Sequence, residues 1–272
     1  MTDRYAVIGN PVAHSLSPAI HAEFARQTGE DVVYGTVAAA LDAFSAAVRA
    51  FRDAGGRGLN VTLPFKHEAW QLSERRSERS ERARAVNTLT FASAIIAGDN
   101  TDGAGLTRDI EGNLQFSLRG KRALLLGAGG AAWGVGLPLL AAGLTSLTIA
   151  NRTVPKALEL CRSLAEFPMV DACGYETLEG RAFDLVVNAT SAGLSGIAPS
   201  LARSVFAPGA LAYEMVYGRP TPFMEFARTC GARVADGLGM LVEQAAESFF
   251  VWRGVRPETA AVIEMLRRKA EG

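Results

Sequence analysis

The chain has 272 residues, enough for one or two domains that each bury a core. Its 28 Lys and Arg balance its 28 Asp and Glu, which argues against nucleic acid or an anionic membrane surface as partner. No apolar run is long enough to span a bilayer, no charged-then-apolar leader follows Met1, and Cys161, Cys173 and Cys230 are odd in number without a metal-like spacing, so we expect a cytoplasmic protein with no metal site.

Strand and helix signals alternate from the start. Tyr5 to Ile8 reads as a short buried strand ending in the Gly9-Asn10-Pro11 turn. Ser17 and Pro18 fit the N-cap and first position of a helix through Ala25. Val32 to Tyr34 is a second strand, Leu41 to Ala50 an amphipathic helix, and Gly58 to Thr62 a third strand broken at Pro64. Helices are expected over Lys66 to Leu72 and Glu74 to Ala85. The charged run Glu74 to Arg84 suits a solvated helix face. Asn87 to Phe91 and Ile95 to Ala97 resemble a hairpin. Gly98 to Gly103 is a turn-rich break before a helix at about 104–113.

The second half carries the strongest pattern. An apolar strand, Ala123 to Leu126, runs into the turn Gly127-Ala128-Gly129-Gly130-Ala131-Ala132, an apolar helix through Leu140, and a second strand, Leu147 to Ala150. Glycines there let a backbone approach a pyrophosphate, and the helix start favours its negative charge. An NAD site places Asp or Glu at the end of that second strand, roughly 20 residues past the glycines. This chain has Asn151, Arg152 and Thr153 instead, with Lys156 one turn on. A guanidinium grips a 2′-phosphate where a carboxylate would repel it, so the pattern points to NADP. Further strands are expected near Val170, over Asp184 to Val187 and over Ala210 to Tyr213. Helices follow from Gly237 through Trp252 and from Pro257 to Arg268.

The expected architecture is α/β in two domains. An N-terminal α/β domain, residues 1–101 completed by helices of 238–272, would hold substrate. A Rossmann-like doubly wound domain, residues 102–237, would hold NADP, with a cleft between the two.

Several polar residues stand where such a fold does chemistry. Lys66 follows Asn60-Val61-Thr62-Leu63-Pro64-Phe65 at the end of a strand, where an apolar approach would partly desolvate its ammonium. Asp102 could cap the following helix or pair with Lys66 and assist a proton exchange. Ser15 and Ser17, between the first strand and first helix, offer two hydroxyls to a carboxylate. Capping accounts for Ser17 and poorly for Ser15. His14 reads as a structural hydrogen bonder. Asn87 could bind a ring hydroxyl or neighbouring backbone. Val187 to Gly193, with Thr190, ends a buried strand on the edge where a nicotinamide would lie.

Taken in order, Ser-Leu-Ser-Pro at 15–18, Asn-Val-Thr-Leu-Pro-Phe-Lys at 60–66, Ala-Val-Asn-Thr-Leu at 85–89 and Gly-Asp-Asn-Thr-Asp-Gly at 98–103 form one set with Gly-Ala-Gly-Gly-Ala at 127–131, Asn-Arg-Thr at 151–153, Asn-Ala-Thr-Ser at 188–191 and Gly-Leu-Gly-Met-Leu-Val-Glu-Gln at 237–244. The set resembles the NADP-dependent shikimate dehydrogenase family over nearly the whole chain. The resemblance implies reversible NADPH-dependent reduction of 3-dehydroshikimate to shikimate in aromatic amino-acid biosynthesis, by a monomer or homodimer. It implies Lys66 and Asp102 as the catalytic pair, with Ser15, Ser17, Thr62, Asn87, Asp102, Tyr217 and Gln244 around shikimate. It also implies a cofactor site made of Gly127, Ala128, Gly129, Gly130, Ala131, Asn151, Arg152, Thr153, Lys156, Thr190, Met215 and Gly239. Glu214 stands where Asp is common, Lys156 where Arg is frequent, and Trp133 where a smaller or basic residue is usual; that indole would stack on adenine or simply pack.

Two other readings fit the same scaffold. A quinate-using relative would tend towards an acidic residue at Arg152 and a threonine at Ser17. A non-catalytic shikimate sensor would have lost Lys66 or Asp102, and both are present.

Overall fold

The computed structural model describes residues 2–92, 95–190 and 200–271. Ser191 to Gly193, part of the segment assigned above to the nicotinamide edge, lie outside the described residues. The chain divides into two compact units, one of Met1–Gly105 with Val242–Gly272 and one of Leu106–Leu241.

The first unit alternates β1 (Asp3–Gly9), α1 (Ser17–Thr28), β2 (Val32–Ala38), α2 (Phe44–Asp53), β3 (Gly56–Val61), α3 (Lys66–Leu72), β4 (Arg75–Arg76), α4 (Glu78–Ala83), β5 (Thr88–Ala92) and β6 (Ile95–Asp99). The sheet order is β2-β1-β3-β5-β6-β4. β1 pairs parallel with β2 and β3, while β5 pairs antiparallel with β3 and β6. Ala6, Ile8, Leu59 and Val61 face one core with Phe44, Val48 and Phe65. Tyr5, one residue out of phase with Ala6, stacks instead on Trp252 at 4.5 Å, as the period of two along a strand requires.

Three local expectations are corrected here. The run Glu74 to Ala85 is not one helix. Arg75 and Arg76 pair with Ala97 and Gly98 of β6, and α4 starts only after Ser77, whose hydroxyl accepts the Ser80 N–H. Helix propensity of Arg and Glu lost to backbone pairing with a free strand edge. Gly98 and Asp99, read as part of a turn, close β6. Ser17 is the first residue of α1 and not its cap: Leu16 occupies the cap position, and the Ser17 N–H donates to Ser15 Oγ at 3.2 Å. α1 has no side-chain cap, and the Ser15 hydroxyl instead closes a two-residue turn onto the Ser17 N–H, which leaves the Ser17 hydroxyl for other partners.

α5 (Asp102–Arg108) leads through a π-helical turn, Asp109–Asn113, into the second unit. Its elements are β7 (Arg122–Leu126), α6 (Gly130–Ala141), β8 (Ser146–Ala150), α7 (Val154–Ser163), β9 (Val170–Cys173), β10 (Phe183–Asn188), β11 (Phe206–Glu214), α8 (Pro222–Thr229) and β12 (Arg233–Ala235). Its sheet is ordered β12-β11-β10-β7-β8-β9, and every pairing is parallel. That is the doubly wound order, with the reversal between β7 and β10. Leu124 and Leu126 face one core and Leu125 the other, so β7 needs an unbroken apolar run to bury both faces. The chain returns to the first unit within α9 (Leu238–Arg253) and ends with α10 (Ala260–Glu271). No helix among the described residues is long and apolar enough to cross a membrane.

Candidate active site

In the first unit the end of β3 turns into α3, and Lys66 is the first residue of that helix. Its Nζ donates to Asp102 Oδ2 at 2.6 Å; the lysine side chain is 24% exposed and the aspartate side chain 7%. Asp102 opens α5 but does not cap it with its own carboxylate. The Asp102 N–H donates to Asn100 Oδ1 at 3.0 Å, so Asn100 takes the capping role and the Asp102 carboxylate is left for side chains. Its second oxygen accepts from Asn87 Nδ2 at 2.9 Å.

Asn87 is buried and sits at the centre of the constellation. Its Nδ2 lies within reach of Thr101 Oγ1 (2.8 Å), Asp102 Oδ1 (2.9 Å) and Gln244 Oε1 (3.2 Å). An amide carries two N–H groups, so only two of these three can be served at once. Asn87 Oδ1 accepts from the Thr101 N–H and the Thr88 hydroxyl, both at 2.9 Å. Gln244 comes from α9, and its carbonyl accepts the Thr101 hydroxyl at 3.0 Å. Residues 66, 87, 102 and 244 are thus linked directly. Thr62, half-buried, hangs on β1 through its N–H to Ile8 O.

Ser17 joins the same site by a second layer. It is buried on α1 and its hydroxyl lies against Tyr34, whose phenol is raised well above its ordinary pKa by burial. Tyr34 donates to Asn60 Oδ1 at 2.8 Å. Asn60 Nδ2 in turn lies 3.1 Å from Asn87 O and 2.9 Å from Ser248 Oγ. Tyr34, Asn60, Thr101 and Ser248 were not singled out from sequence. Asn60 and Thr101 lie inside noted motifs and were within reach. Tyr34 and Ser248 gave no signal, because a strand tyrosine and a serine in an apolar helix are ordinary until β2 and α9 pack beside β3. His14 is exposed.

In the second unit the glycine turn follows β7 at the sheet reversal. Gly127 has φ 104°, and a β-carbon there would lie 3.2 Å from the Ala189 backbone, so a side chain would be both strained and crowded. A β-carbon on Gly129 or Gly130 would meet open space. α6 begins at Gly130 with no side-chain cap, so its first turn offers N–H groups to an anion. At the end of β8, Asn151 donates to Thr153 O at 2.9 Å, while Arg152, Thr153 and Lys156 are exposed. Arg152 and Lys156 enter no ion pair among the described residues. An open glycine cradle with two unpaired cations one strand away fits a dinucleotide bearing an extra phosphate. Ala128 is buried, Ala131 half-buried, and Trp133 packs against the core of this unit.

Beyond the reversal, Thr190 is held by Asn188, whose Oδ1 accepts the Thr190 hydroxyl at 2.7 Å. Asn188 Nδ2 donates to Glu214 Oε2 at 2.8 Å. Glu214 is fully buried, and burial raises its pKa despite hydrogen bonds from the Val216 N–H, Thr221 and Asn188. The longer acid noted in the sequence spans from Asn188 to Thr221, the residue that caps α8. Met215 lies beside Gly237, where a β-carbon would be 2.3 Å from Met215 O. Gly239 packs on Asp109. Tyr217 follows β11 and so belongs to this unit, whereas Ser15, Ser17, Thr62, Asn87, Asp102 and Gln244 belong to the first. No cluster of His, Cys, Asp and Glu among the described residues has the form of a metal site.

Comparison with known proteins gives matches along most of the chain. The family model described as the shikimate dehydrogenase substrate binding domain matches residues 7–89. That for shikimate / quinate 5-dehydrogenase matches 110–206, and that for the shikimate 5'-dehydrogenase C-terminal domain matches 237–267. A shikimate dehydrogenase (NADP(+)) from Aromatoleum aromaticum is 60% identical over 275 residues, covering 99% of each chain. Among solved structures, an Ael1 enzyme from Pseudomonas putida is 52% identical with a TM-score of 0.94, covering 97% of this chain and 98% of that one. Shikimate 5-dehydrogenase from Thermus thermophilus, in complex with NADP(H) and shikimate, is 35% identical with a TM-score of 0.88, covering 98% and 99%. With identities of this size over full length, the chain belongs to the family of NADP-dependent shikimate dehydrogenases.

Proposed function

We propose that this protein catalyses the reversible NADPH-dependent reduction of 3-dehydroshikimate to shikimate, as a cytoplasmic enzyme of aromatic amino-acid biosynthesis. The observation that carries the reading is the Lys66–Asp102 pair at 2.6 Å, tied through Asn87 to Gln244. An ammonium fixed on a buried carboxylate, ringed by amide and hydroxyl groups, suits a polyhydroxylated ring with one oxygen that gains or loses a proton. In this reading the first unit holds the substrate: Ser15 and Ser17 take its carboxylate, and Thr62, Asn87, Asp102 and Gln244 its hydroxyls.

The second unit holds the cofactor. Gly127, Ala128, Gly129, Gly130 and Ala131 would receive the pyrophosphate, and Asn151, Arg152, Thr153 and Lys156 the adenosine phosphate. Thr190, Met215 and Gly239 would border the nicotinamide. When bound, NADPH supplies the hydride for the ring ketone. The protein's own part is to manage the oxygen: Lys66 places N–H donors on it, stabilises developing alkoxide charge, and with Asp102 moves a proton to or from it. Asp102 and Asn87 hold the ammonium in place, so no reorganisation is needed as charge develops.

The test is NADPH formation at 340 nm with shikimate or quinate, each with NADP or NAD. Turnover confined to shikimate and NADP supports the reading. Turnover with quinate or NAD overturns the roles given to Ser17 or Arg152, and no turnover overturns the activity.

A further inference from the structure

The charged run that the sequence offered as a solvated helix face contains one side chain with a different position. Arg79, on α4, is only partly exposed and uses three N–H groups on two carboxylates. Nε donates to Asp99 Oδ1 at 2.7 Å and Nη2 to Asp99 Oδ2 at 2.6 Å, a side-on bidentate pair. Nη1 donates to Glu247 Oε1 at 2.9 Å. Glu247 is buried on α9, and Arg256 holds its other oxygen at 2.6 Å.

Each carboxylate adjoins a different part of the candidate site. Asp99 ends β6, accepts the Asn100 N–H at 2.7 Å, and so leads into Asn100, the residue that receives the Asp102 N–H. Burial alone would raise the Asp99 carboxyl, yet hydrogen bonds from Arg79 and Ser77 hold it below the usual range. Glu247 lies one helical turn after Gln244 and directly before Ser248. These two residues receive Thr101 and Asn60 on the other side of the site.

We infer that Arg79 is a positioning residue, which sets the distance between the Asp99–Asp102 segment and α9 and thereby the fit of Asp102, Asn87 and Gln244 around one substrate. The inference rests on the functional reading above. It does not make Arg79 a contact of the substrate. A lysine at 79 could keep a charge near both acids but not three directed N–H bonds in one plane.

The experiment compares wild type, Arg79→Lys, Arg79→Met and Glu247→Gln. It measures melting temperature and steady-state constants for shikimate and NADP. A shift in the walls of the site should lower kcat/KM for shikimate by up to roughly 10²-fold in Arg79→Met, with KM for NADP unchanged. Arg79→Lys should melt close to wild type yet retain most of that loss. A lysine variant that restores both melting temperature and shikimate kinetics would reduce Arg79 to a structural charge and overturn the inference. Should Arg79→Met lose its cooperative transition, Arg79→Lys and Glu247→Gln decide. Wild-type kinetics for shikimate in both would equally overturn it. An inert wild type would remove the functional reading and this inference together, which sets that failure apart from one confined to the variants.

Discussion

Gly239 lies so close to Asp109 that a β-carbon on the glycine would sit 1.9 Å from the carboxylate Oδ1. Asp109 cannot easily retreat. It is 2% exposed, opens the π-helical turn, accepts the Tyr213 hydroxyl at 2.6 Å on Oδ2 and the Asn113 amide at 2.9 Å on Oδ1. Gly239 is helical, so alanine would gain about 1 kcal/mol of helix propensity. Overpacking against a pinned carboxylate costs about 1–3 kcal/mol, and a 1.9 Å approach lies at the severe end, so strain wins. We expect Gly239→Ala to be destabilised, read as a lower urea midpoint at unchanged m. An unchanged or raised midpoint would show that the carboxylate gives way.

Lys66→Ala should lower kcat by at least ~10²-fold, the scale for removing a general acid or base, with KM for shikimate little changed. Asn87 and Gln244, the partners proposed above for the substrate hydroxyls, remain linked to each other and to Thr101 in the variant. Near-normal turnover would refute the assignment of Lys66.

Arg152→Ala should weaken NADPH far more than NADH. Loss of a hydrogen bond to a charged group costs about 1.5–3 kcal/mol, or roughly 10–100-fold in Kd. Because Arg152 is exposed at the end of β8 and enters no ion pair among the described residues, the variant should fold as wild type does. Equal losses for both nucleotides, measured by fluorescence titration, would count against a phosphate clamp.

His21 offers a test of stability against pH. It is fully buried, stacks on Tyr34 at 4.0 Å, and neither ring nitrogen has a hydrogen-bond partner. Burial, outweighing the nearby Asn60 amide, lowers its pKa from 6.5 to about 3. Between those values the unfolded chain binds the proton and the folded protein does not. Stability from this group is therefore complete above pH 6.5 and is lost as pH falls towards 3, up to about 5 kcal/mol as an upper bound. His21→Phe, which removes the buried polar ring, should flatten the loss of urea stability between pH 7 and pH 4. A pH dependence identical to wild type would assign that loss wholly to carboxylates such as Asp3, Asp99 and Asp184, each held below its usual range.

Much of the molecule was legible in the sequence because its signals are local. The run Leu124-Leu125-Leu126 had to be a strand buried on both faces, and the turn at Gly127 to Gly130 had to let something approach the backbone. Arg152 stands where an NAD site has a carboxylate, which is a local signal for NADP. Lys66 and Asp102 could be named as a pair, but their 2.6 Å contact depends on β6 bringing residues 36 positions apart into register. Local capping rules place Ser17 and Asp102 at helix caps, whereas in the folded chain both are first residues of their helices and give their own N–H groups to Ser15 and Asn100. That arrangement frees two side chains for the site, and no local pattern distinguishes which of two nearby polar residues will accept such a bond. Tyr34, Ser248 and Arg79 were invisible for a stronger reason. Their partners are Asn60, Thr88 and Thr101, Asp99 and Glu247, and such bonds exist only after distant strands and α9 have packed. The sequence by itself determined which backbone could bind a dinucleotide and which side chains could move a proton, because propensity, charge and glycine freedom act over a few residues. Only the tertiary structure decided which polar groups face one another, because a buried hydrogen bond forms between whatever donors and acceptors close packing leaves within reach.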